Sequence, residues 1–510
     1  MQATRSGLDR RVLVLGGVVV LGMILAILDA TIVNVAVPTL GNDLHTSIAT
    51  VQWVLTAYLL ALATTIPLTS WASARFGAKR VWLAALALFT LGSCLAGAAW
   101  SIDSLIAFRV LQGAGAGLVM PVGQAILAQA AGPERIGRVM SVVGVPMLIA
   151  PILGPVIGGA IVGAASWRWI FFVNLPVAAA AMALAARLLP AVAPRHEARL
   201  DRRGLLLLPP GLALAVFGLS KIGAAGTVGA EPLALVAAGL MLVGLFVAHA
   251  RTRGADALVD VSLFVRRGFA AASATTLVLG IALFGALILL PLYYQLVRGE
   301  SPLRTGLLLV PQAVGAALAM PFAGRLTDEV GARLVIPAGI VLALAGTGVY
   351  TQLDAHSSYA LLGGALFLIG LGLGTTVMPS MAVAYQSVPR EAAPHATAAI
   401  NVVQRIAGSL GTALLAVVLQ RSIASRMPGF DGSVQEAARS RAAGALAGAF
   451  GTPFWVAFGL VAAALVPALL LPRAERRREP PAVGARYSSN SSRAIRRESD
   501  EFWPAGQSKG

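Results

Sequence analysis

Charge is scarce in this sequence. Only 12% of its 510 residues are Asp, Glu, Lys or Arg, while 57% are hydrophobic and the mean hydropathy is +0.80. A soluble domain carries roughly 25% charged residues, so a soluble globular fold is excluded. Cysteine is nearly absent: Cys94 stands alone, which rules out an intrachain disulfide and leaves packing as its role. None of the five histidines lies at ligand spacing from a second metal-binding residue. There is no Gly-x-x-x-x-Gly-Lys-Ser/Thr loop, so ATP is not used in the P-loop manner. No nucleophile–base pair or metal cluster is visible either, so an enzyme is not expected, and neither is a cofactor.

Long apolar runs fill the space that charge vacates. At the ~20 residues a bilayer requires, about fourteen spans can be read. They lie near 12–37, 49–72, 81–100, 104–127, 139–163, 169–189, 204–221, 232–249, 269–296, 305–324, 333–352, 359–380, 397–420 and 450–471. The net charge of +17 would suggest nucleic acid in a soluble protein. Here the basic residues cluster in alternate loops and in the C-terminal tail, so no nucleic acid partner is expected and the lipid bilayer is. With the N-terminus inside, cytoplasmic segments hold roughly 29 Lys/Arg and external ones about 8. Both termini are then cytoplasmic in a multi-pass plasma-membrane protein. Residues 433–447, within the longest external loop, read as an interfacial helix. Residues 473–510, polar and rich in Arg and Ser, read as a disordered basic cytoplasmic tail.

Against this background a few polar residues inside spans stand out. The first span, which has a signal peptide as its competing reading, contains Leu28-Asp29-Ala30-Thr31-Ile32-Val33-Asn34. Asp29 lies about 13 Å from the Pro38 end, inside the hydrocarbon slab. Burial there disfavours the charged form of a carboxylate, which suits it to carry protons. Arg109 lies roughly 8 Å below the outer boundary of the fourth span, at a depth similar to that of Asp29, so the two can pair if their helices pack. The competing reading is an arginine snorkelling to the headgroups. Arg405 lies about 18 Å into the thirteenth span, flanked by Asn401 and Gln404, with no visible carboxylate partner. It is a candidate for an anionic group or for closing the cavity, against capping of backbone carbonyls. Asn34, Gln52, Trp53, Tyr58 and Gln112 complete the candidate cavity. Trp53, Tyr293 and Tyr294 also fit an interfacial aromatic belt, the better reading for the two tyrosines.

Glycine and proline suggest where helices slide and bend. Gly113, Gly115 and Gly117 allow close helix approach. The fifth span carries Gly154, Pro155, Gly158 and Gly159, a combination that makes a helix bent or easily bent. A short basic turn with glycine follows the second span (Arg75, Gly77, Lys79) and another follows the tenth (Gly324, Asp328, Arg333), a candidate cytoplasmic gate repeated in two halves. The expected architecture is an all-α polytopic membrane protein with two six-helix bundles and a midplane site between them. Its expected parts are an N-terminal bundle at 1–190, two inserted helices and a linker at 191–267, a C-terminal bundle at 268–472, and the tail.

The ordered set Leu28-Asp29-x-Thr31-Ile32-Val33-Asn34-Val35-Ala36-x-Pro38, Gln52-Trp53-x-x-x-x-Tyr58, Arg109-x-x-Gln112-Gly113, Gly154-Pro155-x-x-Gly158-Gly159 and Trp167-Arg168-Trp169-Ile170-Phe171-Phe172-Val173-Asn174-x-Pro176 resembles the fourteen-span drug:proton antiporters of the major facilitator superfamily, the EmrB/QacA type. The resemblance covers about residues 10 to 472. It implies the major facilitator fold and proton-coupled efflux of hydrophobic or amphipathic, often cationic, small molecules by alternating access, with protons and substrate as partners. It assigns proton coupling to Asp29 and Arg109. On accessory envelope proteins the sequence is silent. Two other readings stay open, an exporter dedicated to one endogenous lipid or secondary metabolite and a non-transporting protein with this fold. One departure from the family pattern stands in the first gate loop, where Ser70 replaces the leading glycine and Ala74 the aspartate.

Overall fold

The computed structural model describes residues 10–46, 48–131, 157–190, 199–225, 228–426 and 436–472, with positions 139, 144, 150, 153 and 154 between them. Among the described residues there is no strand, and thirteen helices are long and apolar enough to cross a membrane. The fifth expected span falls mostly outside the described residues, and its far part is helical at 157–164. The tail lies outside them entirely.

The helices in chain order are α1 (Arg10–Asp43), α2 (Ile48–Thr65), α3 (Thr69–Phe76), α4 (Ala78–Gly97), α5 (Ile102–Ala131), α6 (Trp169–Phe172), α7 (Asn174–Leu188), α8 (Arg202–Ala225), α9 (Ala230–Arg253), α10 (Arg267–Leu292), α11 (Pro302–Val330), α12 (Ala332–Tyr350), α13 (Tyr359–Gln386), α14 (Ala393–Arg426), α15 (Glu436–Ala463) and α16 (Leu465–Leu469). A 3₁₀ turn, Ile66–Leu68, joins α2 to α3, and a π-turn, Tyr293–Val297, extends α10. The interfacial helix expected at 433–447 is corrected: from Glu436 its backbone runs without a break into the last span as α15. Alanine-rich sequence favours helix on either side of the boundary, so nothing there stops the winding.

The repeat suspected from the gate loops extends through the helices. Gly77, with φ 85°, ends α3 and opens α4, while Gly331, with φ 95°, does the same between α11 and α12; both occupy backbone that other residues rarely adopt. Gly113 and Gly117 of α5 pack against α2 at Tyr58 and Leu62, and Gly115 packs against α4 at Ala85 and Phe89. In the second half Gly370 and Gly374 of α13 meet α11 at Gln312 and Ala316, and Gly372 meets α12 at Gly339 and Ala343. A methyl group at Gly115 would lie 2.5 Å from the Phe89 nitrogen, and one at Gly372 2.5 Å from the Gly339 oxygen. Missing side chains thus bring these backbones together, as membrane helices require when no hydrophobic effect drives them.

Burial separates the two ends of the molecule. At the basic end, where α1 begins, one continuous apolar cluster joins Leu15, Trp82 and Leu127 of the first half to Phe269, Met320, Met378 and Ile400 of the second. At the far end the clusters are separate, one around Val33, Val54 and Trp167, the other around Tyr293, Leu415 and Phe450. The halves are therefore sealed together at the basic end and part toward the far end. Helix α8 lies along the side of the parting: Phe217 stacks on Trp53 of α2 at 5.3 Å, and Ile222 packs with Ala413 and Val417 of α14.

Candidate functional site

Asp29 and Arg109 are both fully buried and paired, Arg109 Nη1 donating to Asp29 Oδ2. Burial leaves no route for Arg109 to snorkel. The i, i+3 spacing on α5 places Gln112 on the same face. Gln112 Oε1 accepts from Arg109 Nη1 at 2.7 Å, and its Nε2 donates to Asp29 Oδ1 at 2.8 Å. Asn174, the first residue of α7, donates to the same Oδ1 at 3.1 Å and to Ser93 Oγ of α4, also at 3.1 Å. Arg109 Nε donates to the Val54 carbonyl at 3.2 Å, its guanidinium lies 4.0 Å from the Tyr58 ring centroid, and the Tyr58 hydroxyl donates to the Ala26 carbonyl at 3.0 Å. Only Arg109 Nη2 lacks a partner. Five helices thus converge on one carboxylate. Taking one member from a buried pair leaves the other uncompensated, at about 3–5 kcal/mol.

Two of the fifth-span glycines, Gly154 and Gly158, pack on the turn of α1 that follows Asp29. A methyl at Gly158 would lie 2.8 Å from the Ile32 carbonyl oxygen, and one at Gly154 would run into Thr31, whereas at Gly159 the nearest atom, from Val35, is 4.0 Å away. Farther back on the same span, Gly144 packs against Met320 and Met378 of the second half. One span therefore touches both the seam between halves and the turn of α1 next to Asp29. Pro155 lies outside the described residues.

Across the seam, Asn401 of α14 is buried and its Nδ2 donates to Gln124 Oε1 of α5 at 2.9 Å. Arg405, one turn farther from the basic end, is half-buried and interacts electrostatically with Tyr58; Gln404 beside it is half-buried too. Gln52 is exposed, as is Trp53 on its contact with α8, and neither joins the Asp29 cluster; the Asn34 side chain lies outside the described residues. The interfacial-belt reading of Tyr293 and Tyr294 is corrected. Both are fully buried, Tyr293 donating to the Asp354 carbonyl at 2.8 Å and Tyr294 sharing a hydrogen bond with Tyr350 at 3.2 Å.

The two turns read as a candidate gate share the same glycine geometry. Lys79 caps α7 through the Ala186 carbonyl at 2.7 Å, Arg75 and Arg333 are half-buried, and Gly324 is buried; the Asp328 side chain lies outside the described residues. Ser70, at the departure from the family pattern, donates to the Leu258 carbonyl at 2.7 Å. The Leu258 amide in turn donates to Asp201 Oδ2 at 3.2 Å, and Asp201 Oδ1 accepts from the Gly204 amide at 3.0 Å and lies 2.8 Å from His249 Nε2. The linker after α9 is thereby tied to the end of α2 and α3. Burial pushes the Asp201 carboxyl up, but its bonds from Gly204, His249 and Leu258 outweigh that and hold it below the ordinary carboxylate value. Nothing in the sequence singles out Ser93, Gln124 or Asp201; Asn174 carries a signal only as a member of the motif over 167–176.

The arrangement is that of a helical membrane protein with a polar seam, and comparison with known proteins gives its class. Residues 19–412 match the family model of the Major Facilitator Superfamily, and the chain belongs to that family. It is 40% identical over 500 residues to the multidrug resistance protein B homolog of Mycobacterium tuberculosis strain H37Rv, covering 93% of each chain. It is 29% identical over 398 residues to the multidrug export protein EmrB of Haemophilus influenzae, covering 77% of this chain and 78% of that one. Among solved structures it superposes on the human organic anion transporter MFSD10 with TM-score 0.61 at 18% identity, covering 92% of this chain and all of that one. The proton:xylose symporter XylE gives 0.57 at 14% identity, over 91% and 96% of the two chains. At those identities the structures speak for the fold alone.

Proposed function

We propose that this protein exports hydrophobic or amphipathic small molecules from the cell by alternating access, in exchange for protons, with its basic end and both termini in the cytoplasm. The observation that carries this reading is the buried Asp29, the one carboxylate among the described residues that is deep in a span and fully enclosed. The names of the two multidrug relatives support the substrate side of it. On this reading, with the basic end in the cytoplasm, a protein sealed at that end and parted at the far end is in its outward-facing state. A proton arriving from outside adds to an Asp29 oxygen and neutralises the carboxylate. Arg109 then loses its counter-ion, and the enclosure that favoured the pair no longer favours the same packing of α1 on α5. The fifth span, in contact with α1 beside Asp29 and with Met320 and Met378 across the seam, provides the mechanical link to the gate. A proton can shift the two-state equilibrium only by its different affinity for the two states, and the Arg109, Gln112 and Asn174 contacts supply that difference.

The test is dye efflux in inverted vesicles with a pH gradient that can be collapsed. Accumulation that follows the gradient and disappears in Asp29→Asn, with counterflow of the same dye retained, is the expected result. Gradient-driven accumulation at a normal rate in Asp29→Asn would place the coupling elsewhere.

A further inference from the structure

The polar groups between the bundles form an asymmetric electrostatic environment. Both oxygens of Asp29 are occupied, Oδ2 by Arg109 and Oδ1 by Gln112 and Asn174. Asp29 therefore offers an entering cation no free carboxylate oxygen. Arg405 is in the opposite condition. It is half-buried and has no hydrogen bond and no ion pair among the described residues. It sits one helical turn beyond the Asn401–Gln124 contact that crosses the seam, on the side where the halves part. Tyr58 lies within electrostatic reach of Arg405, Arg109 and Asp29, so the wall facing Arg405 carries behind the tyrosine ring an ion pair whose carboxylate is already taken by Arg109.

We infer that the transported substrate is an organic anion, an amphipathic molecule with a carboxylate or comparable acid group, and that Arg405 is its charge-binding residue at the floor of the cleft. This rests on the export reading above and narrows it, replacing the cationic preference that the family resemblance implied. A planar guanidinium whose donors are unpaired among the described residues offers two parallel hydrogen bonds to one carboxylate, a pairing that a lysine cannot reproduce. A half-buried cation without a partner is only partly solvated, so an anion that supplies one gains more than it would at the surface.

The experiment measures equilibrium binding to the purified full chain in detergent, without any gradient. The probes are fluorescein and rhodamine 123, which share a xanthene skeleton; the first carries a free carboxylate and net negative charge, the second a methyl ester and positive charge. Wild type should bind fluorescein at least tenfold more tightly than rhodamine 123. Arg405→Gln should lose about tenfold in fluorescein affinity with rhodamine 123 unchanged or bound more tightly, and Arg405→Lys should retain part of the preference. A wild-type protein that does not bind fluorescein more tightly, or an Arg405→Gln protein whose fluorescein affinity is unaltered while its melting temperature matches wild type, overturns the assignment. Should Arg405→Gln fail to fold, the comparison of the two probes in wild type and Arg405→Lys decides alone. Failure of the export reading would appear separately, as normal anion binding without gradient-driven flux.

Discussion

In the first bundle the contact between Gly92 and α5 frames Gln112, and the contact between Gly113 and α2 frames Tyr58; both side chains belong to the Asp29–Arg109 cluster. The same contacts in the second bundle, made by Gly346 and Gly370, frame Ile369 and Gln312. The position matching Arg109 in that glycine register is Leu366, and the one matching Ser93 is Thr347. Where the first bundle holds its ion pair, the second holds a cavity of about 40 Å³, lined by Gln312, Thr347 and Ile369 together with Leu279, Ala282 and Ala286. Backbone geometry is kept in both halves while the chemistry is put in one. Close helix approach needs only glycine, so it can be repeated at no electrostatic cost, whereas a buried charge must bring its own counter-ion and donors. Among the described residues one bundle therefore carries a buried ion pair at this register and the other does not, while the half-buried Arg405 of the second stands near Tyr58 of the first.

The comparison breaks most completely if the first bundle is made to resemble the second. Asp29→Asn should abolish uphill export, at least a hundredfold in initial rate, and should lower stability because Arg109 is left buried and unpaired, by about 3–5 kcal/mol. The double variant Asp29→Asn/Arg109→Gln removes both charges; it should recover most of that stability, read by thermal melting in detergent, without recovering coupling. Recovery of gradient-driven export in the double variant would mean that the ion pair is structural only.

A smaller change, Gln112→Leu, imitates Ile369 at one position. It removes a donor from Asp29 and an acceptor from Arg109 at once, leaving both under-satisfied, and about 1–3 kcal/mol of stability should be lost. Transport should fall several-fold with its pH dependence displaced, whereas Ile369→Leu in the second bundle should change neither. Equal effects at the two positions would erase the asymmetry.

Much of this asymmetry is legible in the amino-acid sequence itself. Two opposite charges at one depth in apolar spans have few ways to exist except as a pair, which is why Asp29 and Arg109 can be read together. Neutral polar groups give no such signal: Ser93 looks like any serine in a helix, and Gln124 acquires meaning only when Asn401 arrives from the other half of the chain. Tyr293 and Tyr294 mislead because an aromatic near the end of a span has the same sequence context whether it meets headgroups or a neighbouring helix; the π-turn over Tyr293–Val297 marks where the backbone adjusts to bury them. Asp201 reads as an ordinary loop acid, since only Gly204 among its partners is nearby in the chain, while His249 and Leu258 lie 48 and 57 residues farther on.

Within the fifth-span motif the comparison can be sharpened to neighbouring residues. Gly158→Ala sets a methyl 2.8 Å from the Ile32 carbonyl oxygen, one helical turn from Asp29, so α1 must shift. Overpacking of this kind costs about 1–3 kcal/mol, and the displaced α1 should slow export several-fold. Gly159→Ala meets nothing closer than 4.0 Å and should behave as wild type or slightly better, since alanine also favours helix. Paired initial-rate and melting measurements on the two variants separate a packing requirement at one position from a general need for glycine.

The smallest expected effect concerns the gate loops, where the first half lacks the family aspartate and the Ser70–Leu258–Asp201 chain of hydrogen bonds stands in its neighbourhood. Ser70→Ala removes one bond, worth about 1 kcal/mol, and leaves the Leu258 carbonyl to water or to nothing. Cysteine labelling at Ser73→Cys, itself buried beside this contact, should accelerate a few-fold in the Ser70→Ala background as the basic end opens more often. Asp201→Asn should act in the same direction, because a neutral amide accepts less strongly from the Gly204 and Leu258 amides and from His249 than a carboxylate does. The pH dependence has a definite sign. With the Asp201 carboxyl held below its ordinary 3.8, its contribution is fully present above that value and is lost only as pH falls through the lower value in the folded protein. Labelling should therefore be insensitive to this group from pH 5 to 8 and rise only below about pH 4. A rise already at pH 6 that vanishes in His249→Gln would transfer control of the contact from the carboxylate to the histidine, and with it the claim that the first-half gate is held by a permanently ionised group.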